Sequence, residues 1–145
     1  GKDRVVKVTT DPYEVKVIRQ LQRLRAGGAV LPGFVRIFGG VKKAARGWTY
    51  TREAVSPLDA DTKRRALFQR VKKVLNAYFD SHAISAKAAV RACPELRPII
   101  ETAVYLQKKH GLELEDVHEG QLGVVLFTSK YHRAGTVVLF DSQLD

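Results

Sequence analysis

The first quarter of the chain shows a pattern typical of a strand, followed by apolar residues at the spacing of a helix. Residues 4–9 are rich in β-branched side chains, which is typical of a short strand. Asp11 and Pro12 then supply a helix cap and a first helical residue. Apolar residues recur at helical spacing after them, which predicts a helix over residues 12–25. The glycines at 27 and 28 are expected to end it.

Two shorter segments after this helix alternate between apolar and polar residues. Their pattern predicts strands over residues 34–38 and 48–55. Gly39 and Gly40 are expected to stop the first strand, because glycine weakens strand interiors. The basic segment 42–47 is expected to form the tip of a hairpin between the two strands.

A strongly amphipathic segment follows, and it predicts a helix that Asp59 or Asp61 caps and that runs to about Phe79. Its apolar stripe consists of Leu67, Val71, Val74, Leu75 and Tyr78. Its opposite face is basic and carries Lys63, Arg64, Arg65, Arg70, Lys72 and Lys73.

Two more helices and a hairpin complete the predicted elements. We expect a short helix over 85–92 and a longer one over 95–109, with Gly111 as its C-cap. Segments 123–128 and 135–140 read as the two strands of a hairpin. Because strands and helices are largely segregated, the fold class is α+β. We expect one domain over residues 1–145: a small sheet lobe over 1–58 and a helical lobe over 59–145 that contains the hairpin.

Composition and charge narrow the class of protein. The chain has 145 residues, 45% of them hydrophobic, which is enough for one packed core. No apolar run approaches the roughly 20 residues of a membrane span, so no membrane association is expected. The single cysteine, Cys93, cannot form an internal disulfide, and we expect it to be a small buried apolar residue in a reducing, cytoplasmic compartment. The four histidines show no helical pairing and no neighbouring cysteine, which disfavours a zinc site.

Two acidic residues provide the most specific candidate chemistry. Asp116 ends a loop after the long helix, and Asp141 ends a Val-rich strand, with the predicted hairpin between them. Such an order can place a base and a metal-binding carboxylate at one phosphate group, as phosphoryl transfer requires. His118 lies two residues after Asp116, where it could help to position a phosphate or serve as an ordinary loop histidine.

The order of elements and several residues resemble the core of the protein-kinase-like fold. Lys7, in the segment Val5-Val-Lys7, resembles the phosphate-pairing lysine, and Glu14 on the following helix resembles its partner glutamate. Asp116 followed five positions later by Gln121 resembles the catalytic Asp and metal-binding Asn of the family. Asp141, after the hairpin, resembles its metal-binding Asp.

The resemblance implies a role for each of these residues. Lys7 and Glu14 would contribute to nucleotide binding, Asp116 and Lys7 to catalysis, and Asp141 with Gln121 to Mg²⁺ binding. ATP and Mg²⁺ are the implied cofactors. The resemblance extends over residues 4–142 and is closer to small bacterial or phage kinase-like proteins than to eukaryotic kinases.

The chain departs from the family pattern at several places. No Gly-rich loop lies between Gly1 and Lys7, and Leu114 and Glu115 stand in place of His-Arg before the catalytic Asp. Ser142 and Gln143 follow Asp141 in place of Phe-Gly. The implied function is therefore a reduced kinase-like domain, acting as a phosphotransferase (a transferase) or as a pseudokinase-type interaction module.

Each of these residues also has an ordinary structural interpretation. Glu14 in a first helical turn favours the helix dipole. Lys7 alternates with valines and would then face solvent from an edge strand. Asp116 and Asp141 would then be turn residues.

A second function follows from the charge. The net charge of +10 and the pI of about 9.9 favour an anionic partner. The cations of the predicted 61–79 helix would track a nucleic-acid backbone or would simply be a solvated face: Lys63, Arg64, Arg70, Lys72 and Lys73. Trp48 and Tyr50 would either stack on bases or pack against the protein. A third interpretation is an inhibitory or structural protein that binds a partner in a phage or its host.

Overall fold

The computed structural model describes residues 2–60, 62–141 and 143–145, and these form a mixed α+β fold. Its helices and strands, in chain order, are β1 (Arg4–Thr9), α1 (Pro12–Ala26), β2 (Ile37–Lys43), β3 (Trp48–Glu53), β4 (Val55–Pro57), α2 (Arg65–Leu75), α3 (Ala86–Ala92), α4 (Arg97–His110), β5 (Leu114–Glu115), β6 (Leu122–Val125), β7 (Val137–Leu139) and β8 (Gln143–Leu144).

The first half of the chain forms a three-stranded antiparallel sheet covered by α1. The strand order is β1-β3-β2, so β1 is an edge strand. Helix α1 begins as predicted, because the Asp11 side chain accepts a hydrogen bond from the Tyr13 N–H and Pro12 starts the helix. It buries Val17, Ile18 and Leu21.

The second strand differs from the prediction over residues 34–38. Strand β2 begins at Ile37 and continues through both glycines to Lys43, so Gly39 and Gly40 do not end it. The strand register shifts between Phe38 and Lys42, and this irregularity accommodates the glycines. Phe34, predicted as a strand residue, instead forms an isolated parallel bridge with Leu139.

The predicted strand over residues 48–55 is two strands. β3 ends at Glu53, and β4 belongs to a second antiparallel sheet of order β4-β6-β7. Ala54, between them, is buried. The chain therefore changes sheets at the predicted lobe boundary and pairs there with the C-terminal hairpin.

The amphipathic helix starts later than its pattern predicted, and helical structure continues to Asp80, close to the predicted end. Two 3₁₀ turns, Leu58–Ala60 and Thr62–Arg64, precede α2. Its N-cap residue is Arg64, which makes no side-chain capping bond, so the cap predicted at Asp59 is wrong; Asp61 lies outside the described residues. Leu58 is fully buried, and anchoring it in the core delays the start of the helix. A π-helical turn, Asn76–Asp80, continues the chain after α2.

The other helices match their predictions. The Ser85 hydroxyl accepts a hydrogen bond from the Ala88 N–H and caps α3. Helix α4 follows a 3₁₀ turn at Pro94–Leu96 and ends at Gly111, whose φ of 63° is the left-handed C-cap conformation. Cys93 between these helices is buried, as predicted.

The C-terminal hairpin is confirmed with shorter strands, and a two-residue ladder accompanies it. Strand β5 pairs antiparallel with β8, with Leu114 opposite Leu144 and Glu115 opposite Gln143. Neither strand was predicted, because a two-residue strand has no periodicity to detect.

The main core joins both halves of the chain. Val17 and Leu21 of α1 belong to the same buried cluster as Val71 of α2, Ile99 of α4 and Leu139 of β7. A smaller cluster lies under the N-terminal sheet. In the described part of the chain, no helix combines the length and the apolar character needed to cross a membrane.

Candidate functional site

Two of the predicted site residues, Glu14 and Asp141, line one narrow crevice between α1, the N-terminal sheet and the end of β7. Tyr50 lines it as well, and its hydroxyl donates to Glu14 Oε2 at 2.7 Å. The Thr9 hydroxyl donates to the other oxygen, Oε1, at 3.2 Å. Glu14 is therefore held by two hydroxyl groups, and Asp141 is exposed at the same crevice.

Among the described residues, the ionisable groups that line the crevice are two carboxyl groups and a phenol, and each of them is an acid. Burial, the hydrogen bond to Glu14 and the nearby carboxylates of Glu14 and Asp141 raise the pKa of Tyr50. The guanidinium of Arg52 has a lowered pKa because it is partly buried, and Tyr50 and Glu14 oppose that shift. Tyr50 thus remains a hydrogen-bond donor to Glu14 at neutral pH.

Lys7 lies on the strand next to this crevice. It is directly opposite Tyr50 in the β1–β3 ladder, and opposite residues share a face of the sheet. Lys7 is half-buried, whereas Val6 and Val8, on the other face, are 69% and 62% exposed. Val6 and Val8 therefore occupy the solvent-facing positions of this edge strand. An ion pair between Lys7 and Glu14, which the resemblance implies, does not occur among the described residues.

Asp116 follows β5 directly and has a φ of 52°, which is unusual for a residue other than glycine. Because Glu115 pairs with Gln143, the ladder brings the chain at Asp116 beside the segment that follows Asp141. Asp116 itself is exposed and lines a different hollow of ≈ 470 Å³, together with Tyr78 and His82. Asp116 directly follows β5, and its side chain and that of Asp141 line different hollows.

Gln121 is buried and has a structural role. It lies at the end of the 3₁₀ turn Glu119–Gln121, and its Oε1 accepts a hydrogen bond from the His118 N–H at 3.3 Å. The His118 side chain caps the same turn by accepting from the Gly120 N–H at 3.2 Å. This reciprocal pair is a capping box, so His118 and Gln121 fix the loop after Asp116.

The residues only partly fit the implied Mg²⁺. Asp141 offers an exposed carboxylate, and Mg²⁺ commonly binds to one or two carboxylates together with substrate phosphates and water. Gln121 is buried, and its side-chain oxygen accepts the His118 N–H in the capping box of its own loop. Over residues 2–60, 62–141 and 143–145, no group of three or more histidine, cysteine or acidic side chains is placed to hold a metal ion.

The basic residues predicted for an anionic partner do not form one uniform stripe. Arg70 is engaged by Glu95, with two hydrogen bonds of 3.2 Å. Lys63 and Arg64 lie before α2 in a 3₁₀ turn. Lys72 and Lys73 are exposed and line a hollow of ≈ 400 Å³ that His118 also lines.

Sequence reasoning missed a buried polar pair at the lobe boundary. His132 Nδ1 lies 2.7 Å from Glu53 Oε1, and its Nε2 lies 2.8 Å from the Pro32 carbonyl oxygen. Both side chains are 5% exposed. The residues are 79 positions apart, so spacing could not reveal the pair.

A scan against protein-family models found no match to this chain, and a search of the curated proteins found none either. Glu14, Tyr50 and Asp141 meet at one crevice beside the strand of Lys7. Asp116 lines a separate hollow, and Gln121 is engaged in its own loop.

Proposed function

We propose that this chain is a reduced protein-kinase-like domain that works chiefly as a pseudokinase-type interaction module and binds a nucleoside triphosphate weakly. The observation that carries the proposal is the β5–β8 ladder. It lays the segment of Asp116 beside the segment of Asp141, on a chain whose first strand carries Lys7. A phosphoryl-transfer site needs a nucleophile-orienting carboxylate and a metal-binding carboxylate near one phosphate, and the pairing of these two segments supports the proposal that Asp116 and Asp141 supply them.

The sheet order adds support from the other side of the site. Strand β1 lies next to β3, and Tyr50 of β3 reaches Glu14 at the crevice that Asp141 lines. Lys7 shares a sheet face with Tyr50. Contact of the Lys7 amine and the Asp141 carboxylate with one nucleotide is part of the proposal, and the sheet face that Lys7 shares with Tyr50 supports it.

The size of the crevice favours weak binding. Its volume is ≈ 20 Å³, about the space of one water molecule, whereas pockets for small ligands span roughly 300–1,000 Å³. A nucleotide would therefore contact Asp141 and Lys7 from outside the crevice and leave its base largely exposed. A nucleotide that stays largely exposed binds with low affinity. For this reason we favour the interaction module over the enzyme.

Isothermal titration calorimetry with MgATP tests the proposal. We expect weak binding, in the high-micromolar to millimolar range, that Lys7→Ala and Asp141→Asn each weaken by roughly tenfold, because each removes a charge-assisted contact. Lys16→Ala and Asp59→Asn are matched controls at exposed positions and should bind like the original chain.

A radiolabelled phosphate assay separates the two versions of the function. Transfer of the γ-phosphate that Asp116→Asn abolishes would establish the phosphotransferase. Binding without transfer would establish the interaction module. If MgATP produces no heat of binding at millimolar concentration, both versions are rejected.

A basic binding module is the second candidate. The exposed pair Lys72 and Lys73 at the hollow beside His118 favours it, together with the net charge of +10. Affinity for single-stranded RNA or duplex DNA should then fall steeply with salt, with a smaller slope in the double variant Lys72→Gln/Lys73→Gln. An affinity that does not change with salt would reject this candidate.

A further inference from the structure

A wide groove lies between α3 and α4, and its lining residues are separate from those of the crevice of Glu14 and Asp141. Its volume is ≈ 770 Å³. Val90 of α3 and Ile100, Val104 and Tyr105 of α4 line it, and Ile100 is 1% exposed. Ile100 and Val104 are four positions apart, so their side chains form one apolar ridge along the helix. Such a floor accepts apolar side chains of a partner.

The rim of this groove is basic. Lys87 and Arg91 lie one helical turn apart on α3, and Arg97 lies on α4. Among the described residues that line the groove, Glu101 is the one acidic residue, and its Oε1 pairs with Arg97 at 3.2 Å. Lys87 and Arg91 are both exposed. The rim therefore keeps an excess of positive charge around an apolar floor.

A second copy of this chain is a poor occupant. Each of the four helices α1 to α4, in the part of the chain that the structure describes, carries more basic than acidic residues. Seating any of them would place cations against Lys87 and Arg91, and two chains of net charge +10 also repel at long range. Nucleic acid would match the charge but would leave the apolar floor without a partner.

We infer that the α3–α4 groove, lined by Val90, Ile100, Val104, Lys87, Arg91 and Arg97, binds an acidic amphipathic helix of a partner protein. The partner helix places apolar anchors on the floor at i, i+4 and i+7, and its Asp or Glu residues face Lys87 and Arg91. This is the helix-in-groove mode of recognition, in which burial supplies affinity and charge supplies selectivity. The inference concerns a surface that the proposed nucleotide site does not use, and it stands without that site.

Fluorescence anisotropy with a designed peptide tests the inference. The probe is a labelled helical peptide of roughly 16 residues with Leu at i, i+4 and i+7 and Glu flanking them. A peptide of identical composition in scrambled order is its control. We expect Val104→Glu to weaken binding of the ordered peptide by roughly tenfold or more, because it places a charge on the apolar floor.

Charge reversal provides the second variant, and it leaves the core untouched. Lys87→Glu/Arg91→Glu should weaken binding roughly tenfold, whereas Lys16→Glu/Arg19→Glu, the same charge change on α1, should change it less than about twofold. Equal binding of the scrambled peptide, or equal weakening by both double variants, would overturn the inference. The inference would also be overturned if single-stranded RNA displaced the ordered peptide to an extent that depends only on the charge of the RNA. A dimer of the chain that Val104→Glu dissociates would overturn it as well.

Discussion

At the scale of single residues, the buried interactions of the polar side chains are what the sequence could not reveal. Glu53 appeared as an ordinary strand residue, yet its carboxylate accepts from the Arg36 N–H at 2.7 Å and contacts His132. Both ring nitrogens of His132 lie within hydrogen-bond distance of oxygen atoms, a carboxylate oxygen of Glu53 and the carbonyl oxygen of Pro32. The pair ties the 126–136 loop to the lobe boundary.

Substituting His132 tests this tie. His132→Asn should lower the free energy of unfolding by about 3 kcal/mol, because the shorter amide cannot reach both Glu53 and Pro32 and leaves a buried carboxylate without its partner. Urea denaturation measures it. His82→Asn, the same change at an exposed position, should cost less than about 0.5 kcal/mol. Equal effects of the two variants would contradict the role of His132.

Tyr50 gives a pH-dependent prediction. Its pKa in the folded protein is raised above the ordinary value of 10.0, mainly by burial and by its bond to Glu14. The unfolded chain therefore loses this proton at lower pH than the folded chain does, and the unfolded state binds fewer protons above pH 10. The contribution of Tyr50 to stability is complete below pH 10 and decreases as the pH rises above it.

Tyr50→Phe isolates that contribution. The variant should lose about 1–3 kcal/mol near neutral pH, because the Glu14 carboxylate loses a donor. Urea denaturation between pH 9 and pH 11 should show a less steep fall in stability for the variant than for the original chain. If the free energies of unfolding of the two proteins decreased equally with pH, the pKa of Tyr50 would not be raised in the folded state.

At the scale of elements, the prediction succeeded where a cap and a periodic stripe coincide. Helices α1, α3 and α4 have such signals at Asp11, Ser85 and Gly111. The prediction was wrong where tertiary packing overrides the local secondary-structure preference of the sequence. The glycines of β2 continue a strand through a register shift, and the buried Leu58 sets the chain path before α2. In both cases, contacts with residues distant in sequence determine the path of the chain, and no local sequence pattern indicates them.

A close approach between the loop before Phe34 and α4 makes Gly33 a sharp test of the packing between elements. A Cβ at Gly33 would lie 2.7 Å from the Pro98 carbonyl oxygen and 2.8 Å from the Ile99 Cα, both of them backbone atoms. Gly33 also donates to the Thr102 hydroxyl at 2.8 Å. Gly33→Ala should therefore lower the free energy of unfolding by about 2 kcal/mol or more.

Gly40→Ala is the control for this substitution, since nothing lies within 4 Å of a Cβ there. Thermal and urea denaturation should show a change of less than about 1 kcal/mol for Gly40→Ala. A Gly33→Ala protein as stable as Gly40→Ala would mean that α4 does not pack on this loop.

At the scale of the whole molecule, the α+β class was predictable and the integration of its two halves was not. The lobe boundary near residue 58 was predicted from turn residues, but one buried cluster extends across it from α1 to α4. The candidate site shows the same division. The order of Lys7, Glu14, Asp116 and Asp141 was visible in the sequence, whereas the bonds of Glu14 to hydroxyls and of Gln121 to its own loop depend on the folded geometry.

The shared core predicts a single cooperative unfolding transition. Fluorescence of Trp48, the only tryptophan, reports on the N-terminal sheet, and far-UV circular dichroism reports mainly on the helices. Both should give the same urea midpoint, because residues of α1 and α4 lose one common core. A tryptophan midpoint well below that of the circular dichroism would indicate two independent lobes.

The proposed function requires Lys7, Asp116 and Asp141 to border one nucleotide site. NMR line broadening by Mn²⁺-ATP, with Mn²⁺ in place of Mg²⁺, tests this requirement most directly. We expect the backbone amides of these three residues and of Glu14 to lose intensity together at substoichiometric Mn²⁺-ATP, and we expect Asp141→Asn to restore them. Loss of intensity confined to Lys72 and Lys73, or at Asp141 without Lys7 and Asp116, would contradict it.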